Sequence, residues 1–342
     1  MKIRKDSRGQ AEFSWIFALI VGALILFFAF YFIGSKLLEG NLTKSLMTEH
    51  SLDILFNPFS YFGSLGATSA KTMDLSTVEK INFSCKTEEV FGYDSITVWT
   101  KEATQPRKVY DKYLFSDRFI ESKNFQIISK SFNMPWRVAD LVYFFPRNIK
   151  YCFIGPNFDD TRKEFGSDES DEHDTGMNIS NFYFPESINL CPPDGEVVNI
   201  CGENGASNSK CDIIVYSGND NYVLKKNDSG VLKKLYYSDD AQMYAAIFSD
   251  PEVYYCNMQR LTKRLQYQIE IYNAKMQSLN QGQNCGMYIP LDGLDISAKT
   301  LFDNIEGSKQ NIWNPIKGAF SDIKSKADVV KYQNDMSACK LF

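Results

Sequence analysis

Imidazole chemistry is scarce in this chain: His50 and His173 are the only histidines among 342 residues, which restricts both proton transfer and metal binding. His50 falls on the apolar face of a predicted helix and reads as a packed side chain. No HExxH, GxSxG, Walker or Rossmann spacing occurs. Two S-x-x-K matches, Ser207 to Lys210 and Ser321 to Lys324, stand without the companion motifs of that hydrolase class. The acidic stretch Asp159-Asp160 and Asp168-Glu169-Ser170-Asp171-Glu172-His173-Asp174 could offer oxygens to Ca²⁺. It lacks the EF-hand order, so it reads as a solvated loop. The chain is therefore expected to have no catalytic residues, no metal and no cofactor, and not to be an enzyme.

Sulfur chemistry is richer. Cys85, Cys152, Cys191, Cys201, Cys211, Cys256, Cys285 and Cys339 form an even set with no C-x-x-C pair and no Cys-His cluster, a pattern of disulfides in an oxidising compartment. Cys191, Cys201 and Cys211 surround Pro192-Pro193-Asp194-Gly195 and a small-residue turn, and read as a stapled loop. N-x-S/T sequons at Asn41, Asn82, Asn178 and Asn227 are candidate glycosylation sites.

The elements that must position these residues change texture along the chain. Leu42, Leu46, His50 and Ile54 recur every four residues and predict a stalk helix within 35–57; residues 63–75 are small and polar, a linker. Short apolar runs follow in a β-rich region over 76–240: Ile96 to Trp99, Val109 to Phe115, Phe125 to Phe132, Val138 to Phe145, Tyr151 to Ile154, Asp212 to Ser217 and Tyr222 to Lys225. Ser217-Gly218-Asn219-Asp220 suits a hairpin turn, and without long helical patterns between the strands an antiparallel sheet is expected. Residues 241–342 are expected to be helical. Ser249-Asp250-Pro251-Glu252 reads as a capping box, and Met258, Leu261, Leu265, Ile269, Tyr272, Met276 and Leu279 step along one face beyond it, reading as core. A helix over 252–280 would hold Cys256 and Cys285 roughly 40 Å apart, so they should not pair; Cys339 is the candidate partner for Cys256 if the last helix runs back.

Composition agrees with a folded protein, 44% apolar and 14% aromatic against 23% charged. The net charge is -5. Taking the first twelve residues' four basic and two acidic side chains from the totals of 37 and 42 leaves 33 and 40, which argues against a nucleic-acid partner.

Phe13 to Ile33 contains no charge, and predicts a single transmembrane helix over 10–34 with membrane lipid as its partner. Lys2, Arg4, Lys5 and Arg8 precede it within a basic leader, 1–9. The expected topology is a cytosolic N-terminus and an extracellular C-terminal domain. The fold class predicted from these readings is α+β: one transmembrane helix, an antiparallel β-rich ectodomain and a helical C-terminal region.

Ser7-Arg8-Gly9-Gln10-Ala11-Glu12-Phe13 resembles the processing site of archaeal type IV prepilin-like proteins, which carry class III signal peptides, and of TadE-like pseudopilins. The resemblance implies cleavage between Gly9 and Gln10, with Glu12 facing a neighbouring subunit. It also implies pilin-like or other envelope protein subunits as partners. Segments 52–58 and 134–141 resemble archaeal envelope proteins with the same kind of N-terminus, which implies no activity. The expected function is a pilin-like or adhesin-like envelope surface protein with a structural or interaction role; the alternative is a tethered extracellular enzyme or a ligand-binding receptor module.

Overall fold

The computed structural model describes residues 16–31, 68–75, 78–101, 104–166, 177, 179–203, 210–218, 221–282, 289–307 and 314–342. The chain divides into two units, Met1–Leu55 and Phe56–Phe342. In the first, helix α1 occupies 16–31. Its sixteen residues reach about 24 Å, short of a hydrocarbon core of about 30 Å. Among the described residues no helix is long and apolar enough to cross a membrane, which corrects the transmembrane expectation over 10–34. The leader, the Gly9, Gln10 and Glu12 site and the 35–57 stalk lie outside the described residues.

The second unit begins with β1 (Ser69–Asp74), β2 (Val78–Lys86), β3 (Tyr93–Thr100), β4 (Thr104–Val109), β5 (Tyr113–Phe115), β6 (Phe119–Ile120), β7 (Asn124–Asn133), β8 (Arg137–Pro146) and β9 (Ile149–Ile154). Helix α2 (Asp159–Phe165) leads to β10 (Phe182–Tyr183), β11 (Glu196–Gly202), β12 (Ile213–Tyr216), β13 (Tyr222–Lys226) and β14 (Leu232–Tyr236). Helices α3 (Asp240–Phe248), α4 (Pro251–Gly282), α5 (Leu291–Gly307) and α6 (Asn314–Met336) complete it. The described strands form three sheets, ordered β4-β3-β2-β6, β1-β7-β8-β5 and β10-β9-β11-β12-β13-β14.

The expected antiparallel sheet is in fact mixed. β5 runs parallel to β8, and β9 runs parallel to both β10 and β11, with β11 parallel to β12. β5 reaches β8 through β6 and β7, and the longest helix described between β9 and β12 has seven residues, so no long amphipathic period announced the parallel pairs. Two local expectations also change. Residues read as linker contribute β1, paired in register with β7 from Ser69↔Ser129 to Asp74↔Asn124. The run from Val109 to Phe115 breaks in two because Asp111 takes a positive φ of 55°, a conformation that Asp tolerates better than most residues.

β8 explains the layering. Its near-continuous apolar sequence is buried on both faces, as for a strand with a layer on each side. Phe144 points one way, stacking on Phe125 (4.6 Å between centroids) and meeting Phe83 of β2 at 5.1 Å. Tyr143 and Phe145 point the other way, and Phe145 stacks on Phe248 of α3 at 4.4 Å. Every residue of α3 from Ala241 to Phe248 is buried, as expected of a helix apolar around its whole circumference. The Lys225 ammonium donates to the Ile247 and Ser249 carbonyls at 3.0 Å each, closing the C-terminal end of α3.

On α4, Met258, Leu261, Leu265 and Ile269 are buried, and Tyr272, Met276 and Leu279 pack against the same core. The stripe is intramolecular. The helix is capped by Asp250, whose Oδ1 accepts from Glu252 N–H at 2.8 Å; Ser249 Oγ donates instead to the Ala245 carbonyl. The Tyr254 and Tyr255 hydroxyls donate to the Tyr236 and Lys234 carbonyls of β14, covering an edge strand that would otherwise present free acceptors.

Gly92, between β2 and β3, has φ +62°. A Cβ there would collide with the Lys86 carbonyl oxygen and press on the Arg260 side chain. Gly92→Ala should therefore lose about 2–3 kcal/mol in urea unfolding; a change within error would show that the turn can relax.

Candidate functional site

A polar cavity of about 250 Å³ opens where α2, the end of β12 and the first turn of α3 meet α6. Its walls include Asp160, Ser217, Asn221, Asp239, Asp240 and Lys324. The sequence builds it through a helix start. Asp239 is the N-cap of α3, its Oδ1 accepting from Gln242 N–H at 2.9 Å. Gln242 Oε1 accepts in return from Ser238 N–H at 2.8 Å and Ser238 Oγ at 2.7 Å, a reciprocal closure close to a capping box. Tyr237 is fixed by donating to the Tyr216 carbonyl at 2.9 Å, and Asn221 Oδ1 accepts from Gly218 N–H at 3.0 Å.

Behind this wall lies a charged support. Glu164 on α2 pairs with Lys130 of β7, accepts from Thr68 Oγ1 at 2.7 Å and accepts from the Tyr244 hydroxyl at 3.3 Å. Tyr244 is also 3.0 Å from Thr161 Oγ1. Burial pushes the Tyr244 hydroxyl well above its usual pKa, and nearby Glu164 adds to the rise.

Asp239 is the unusual group. It keeps partial accessibility because it lines the cavity, yet protein surrounds it on its other sides. The lost solvation raises its pKa to about 7, against the opposing Gln242 N–H, Lys130 and Lys324 and with added repulsion from Asp240. In the unfolded chain the same carboxyl titrates near 4. Between those values only the unfolded state releases the proton, so stability falls as pH rises from about 4 to about 7 and stays low above. Asp239→Asn keeps a good cap and should gain about 1–2 kcal/mol at pH 8 and nothing near pH 4. Thermal melts across that range test it, and equal shifts at both ends would reject the titration.

A second polar cluster is fully enclosed. Arg260 on α4 and Asp94 on β3 are both buried, with Nη1 2.7 Å from Asp94 Oδ2. Arg260 also donates to Asn257 Oδ1 (2.6 Å) and to the Phe91 and Lys112 carbonyls (2.9 Å each), and lies over the Tyr113 ring. Asp94 accepts from Leu114 N–H at 3.1 Å and from Asn257 Nδ2 at 3.2 Å. Burial raises the Asp94 pKa while Arg260 and these donors oppose it. This cluster fixes α4 to β3 and has no open side.

The predicted residues are distributed as follows. Cys85 pairs with Cys256, Cys152 with Cys191 and Cys201 with Cys211. The expectation of Cys339 as the partner of Cys256 is thus corrected: α4 turns its Cys256 end toward β2, with a Cα separation of 5.9 Å from Cys85. Cys339 is disulfide-bonded as well, and Cys285 lies outside the described residues. So do Asn41, Asn178, both histidines and residues 168–174. Asn82 sits in β2 between β3 and β6, half-buried. Asn227 begins an exposed turn, with Oδ1 accepting from Val231 N–H at 2.9 Å. Among the described residues no group of His, Cys, Asp or Glu could hold a metal.

Comparison with protein-family models, characterised proteins and solved structures finds no match to the chain. The cavity itself escaped the sequence reading. Its one local signal was Ser238-Asp239-Asp240 before an apolar run, an N-cap signature that says nothing about the residues brought opposite it from α6.

Proposed function

We propose that this chain is an envelope protein of the extracytoplasmic side, pilin-like or adhesin-like, with a structural or interaction role and no catalytic one. The observation that carries the reading is the disulfide set. Three bonds join elements 171, 39 and 10 residues apart, and structural disulfides of this kind persist in oxidising compartments. The Arg8-Gly9-Gln10 junction adds the expectation of a processed leader, and the exposed Asn227 turn adds a sequon that a glycosylation system could reach.

Protein purified from its native source tests this directly. A non-reducing peptide map should recover the Cys85–Cys256, Cys152–Cys191 and Cys201–Cys211 links, with the first residue at Gln10. Free thiols at these positions would overturn the location; a chain starting at Met1 would remove only the pilin-like part.

The cavity favours a second, compatible reading, a ligand-binding module. It is open to the surface, lined largely by polar side chains and, at about 250 Å³, falls just below the range of sites for drug-sized ligands.

A further inference from the structure

We propose that the cavity at the start of α3 binds a small primary ammonium ligand, such as a short-chain amine or diamine. This deepens the ligand-binding reading and rests on it, and is independent of where the protein resides.

Three observations converge on that class. The walls carry three carboxylates, Asp160, Asp239 and Asp240, against one ammonium, Lys324. Asp160 is paired with Lys163 at 3.2 Å, so Asp239 and Asp240 against Lys324 leave the site with a small negative excess that favours a cation. A helix N-terminus ordinarily welcomes an anion, but this one is already occupied by its own Asp239 cap and by Asp240 in the first turn. The second observation is Asp239 itself: Gln242 N–H satisfies Oδ1, and no other hydrogen bond to its carboxylate is formed among the described residues, while the group loses much of its contact with bulk water. A desolvated carboxylate of this kind gains from a charge-assisted donor, which no lining side chain supplies. The third is composition. Ser217, Asn157 and Asn221 add neutral polar groups around the carboxylates, matching the three N–H donors of a primary ammonium better than a bare ion. Among the described residues no metal-holding group forms. The volume suits a few heavy atoms rather than a drug-sized molecule.

Asp239 faces Asp240 on its own helix, Lys130 from β7 and Lys324 from α6. The buried hydroxyls of Tyr143 and Tyr254 also feel its charge, and Glu164 stands behind Tyr244. Because Asp239 must be ionised to hold a cation, affinity should rise with pH through about 7.

The test is a ligand-observed NMR titration of the full chain with methylammonium, 1,4-diaminobutane, acetate and inorganic phosphate. At pH 8 the two amines should bind and the two anions should not. Affinity should fall about tenfold or more in Asp239→Asn and at pH 5.5. It should tighten severalfold in Lys324→Gln, an exposed position, where a repelling charge is removed. Binding of acetate or phosphate, or weaker amine binding in Lys324→Gln, would overturn the ammonium class while leaving a ligand site. No binding by any of the four up to tens of millimolar would overturn the site and the ligand-binding reading with it, without touching the extracytoplasmic one.

Discussion

Arg260→Met should destabilise the folded unit by about 3–5 kcal/mol, since removing one partner of a buried ion pair strands the other. Asp94 would keep Asn257 and Leu114 N–H as donors but lose its counter-charge in a site only 2% exposed. The loss reaches further than one pair. Arg260 also binds the Phe91 and Lys112 carbonyls, so two loops flanking β3 to β5 would lose their donor. Substituting both partners with apolar residues of similar volume should recover part of the stability. Urea unfolding of the single and double variants decides the matter: a double variant no more stable than Arg260→Met would show that the loop carbonyls, and not the stranded carboxylate, dominate.

Cys85→Ser with Cys256→Ser should lose about 5 kcal/mol, the chain-entropy value for a link across 171 residues. The bond connects β2 to the first turns of α4, one helical turn from Arg260. The two perturbations therefore share an interface and should not add. Guanidinium unfolding of the double variant and the native chain, both without reductant, measures the term. A midpoint unmoved by the two substitutions would mean that packing around α4 already fixes the two ends together.

What was legible in the sequence followed burial. β3, β7, β8, β9, β12 and β13 were visible because their apolar residues are short, dense runs between turn residues, and α4 because its stripe keeps a helical period for seven contacts. β1 was invisible because Ser69-Ala70-Lys71-Thr72-Met73-Asp74 is an edge strand, half-buried and polar. β14, an edge strand exposed over much of its first half, was missed for the same reason, and β11, though interior, because its first four residues are only partly buried. The mixed topology was hidden since strand direction depends on crossovers, and among the described residues these hold no long amphipathic helix. The cavity was hidden for a deeper reason: Asp160, Ser217, Asp239 and Lys324 come from four separate stretches, and only tertiary packing brings them together. The apolar run at 13–33 was overread, because hydropathy reports composition and the described helix is shorter than the run.

The Cys85–Cys256 bond has a mechanical consequence. If the chain is held near its N-terminus and pulled from its C-terminal end, tension enters at Cys85 and leaves through Cys256, bypassing all that lies between. Most of the sheets, the β3 side of the Asp94 to Arg260 cluster and the cavity walls other than Lys324 of α6 fall inside that covalent ring. A molecule under load can then yield at β1 and the C-terminal helices while the ring itself cannot be drawn out. About 580 Å of chain, at roughly 3.4 Å for each of the 171 bridged residues, stays out of reach of the force until the bond is reduced.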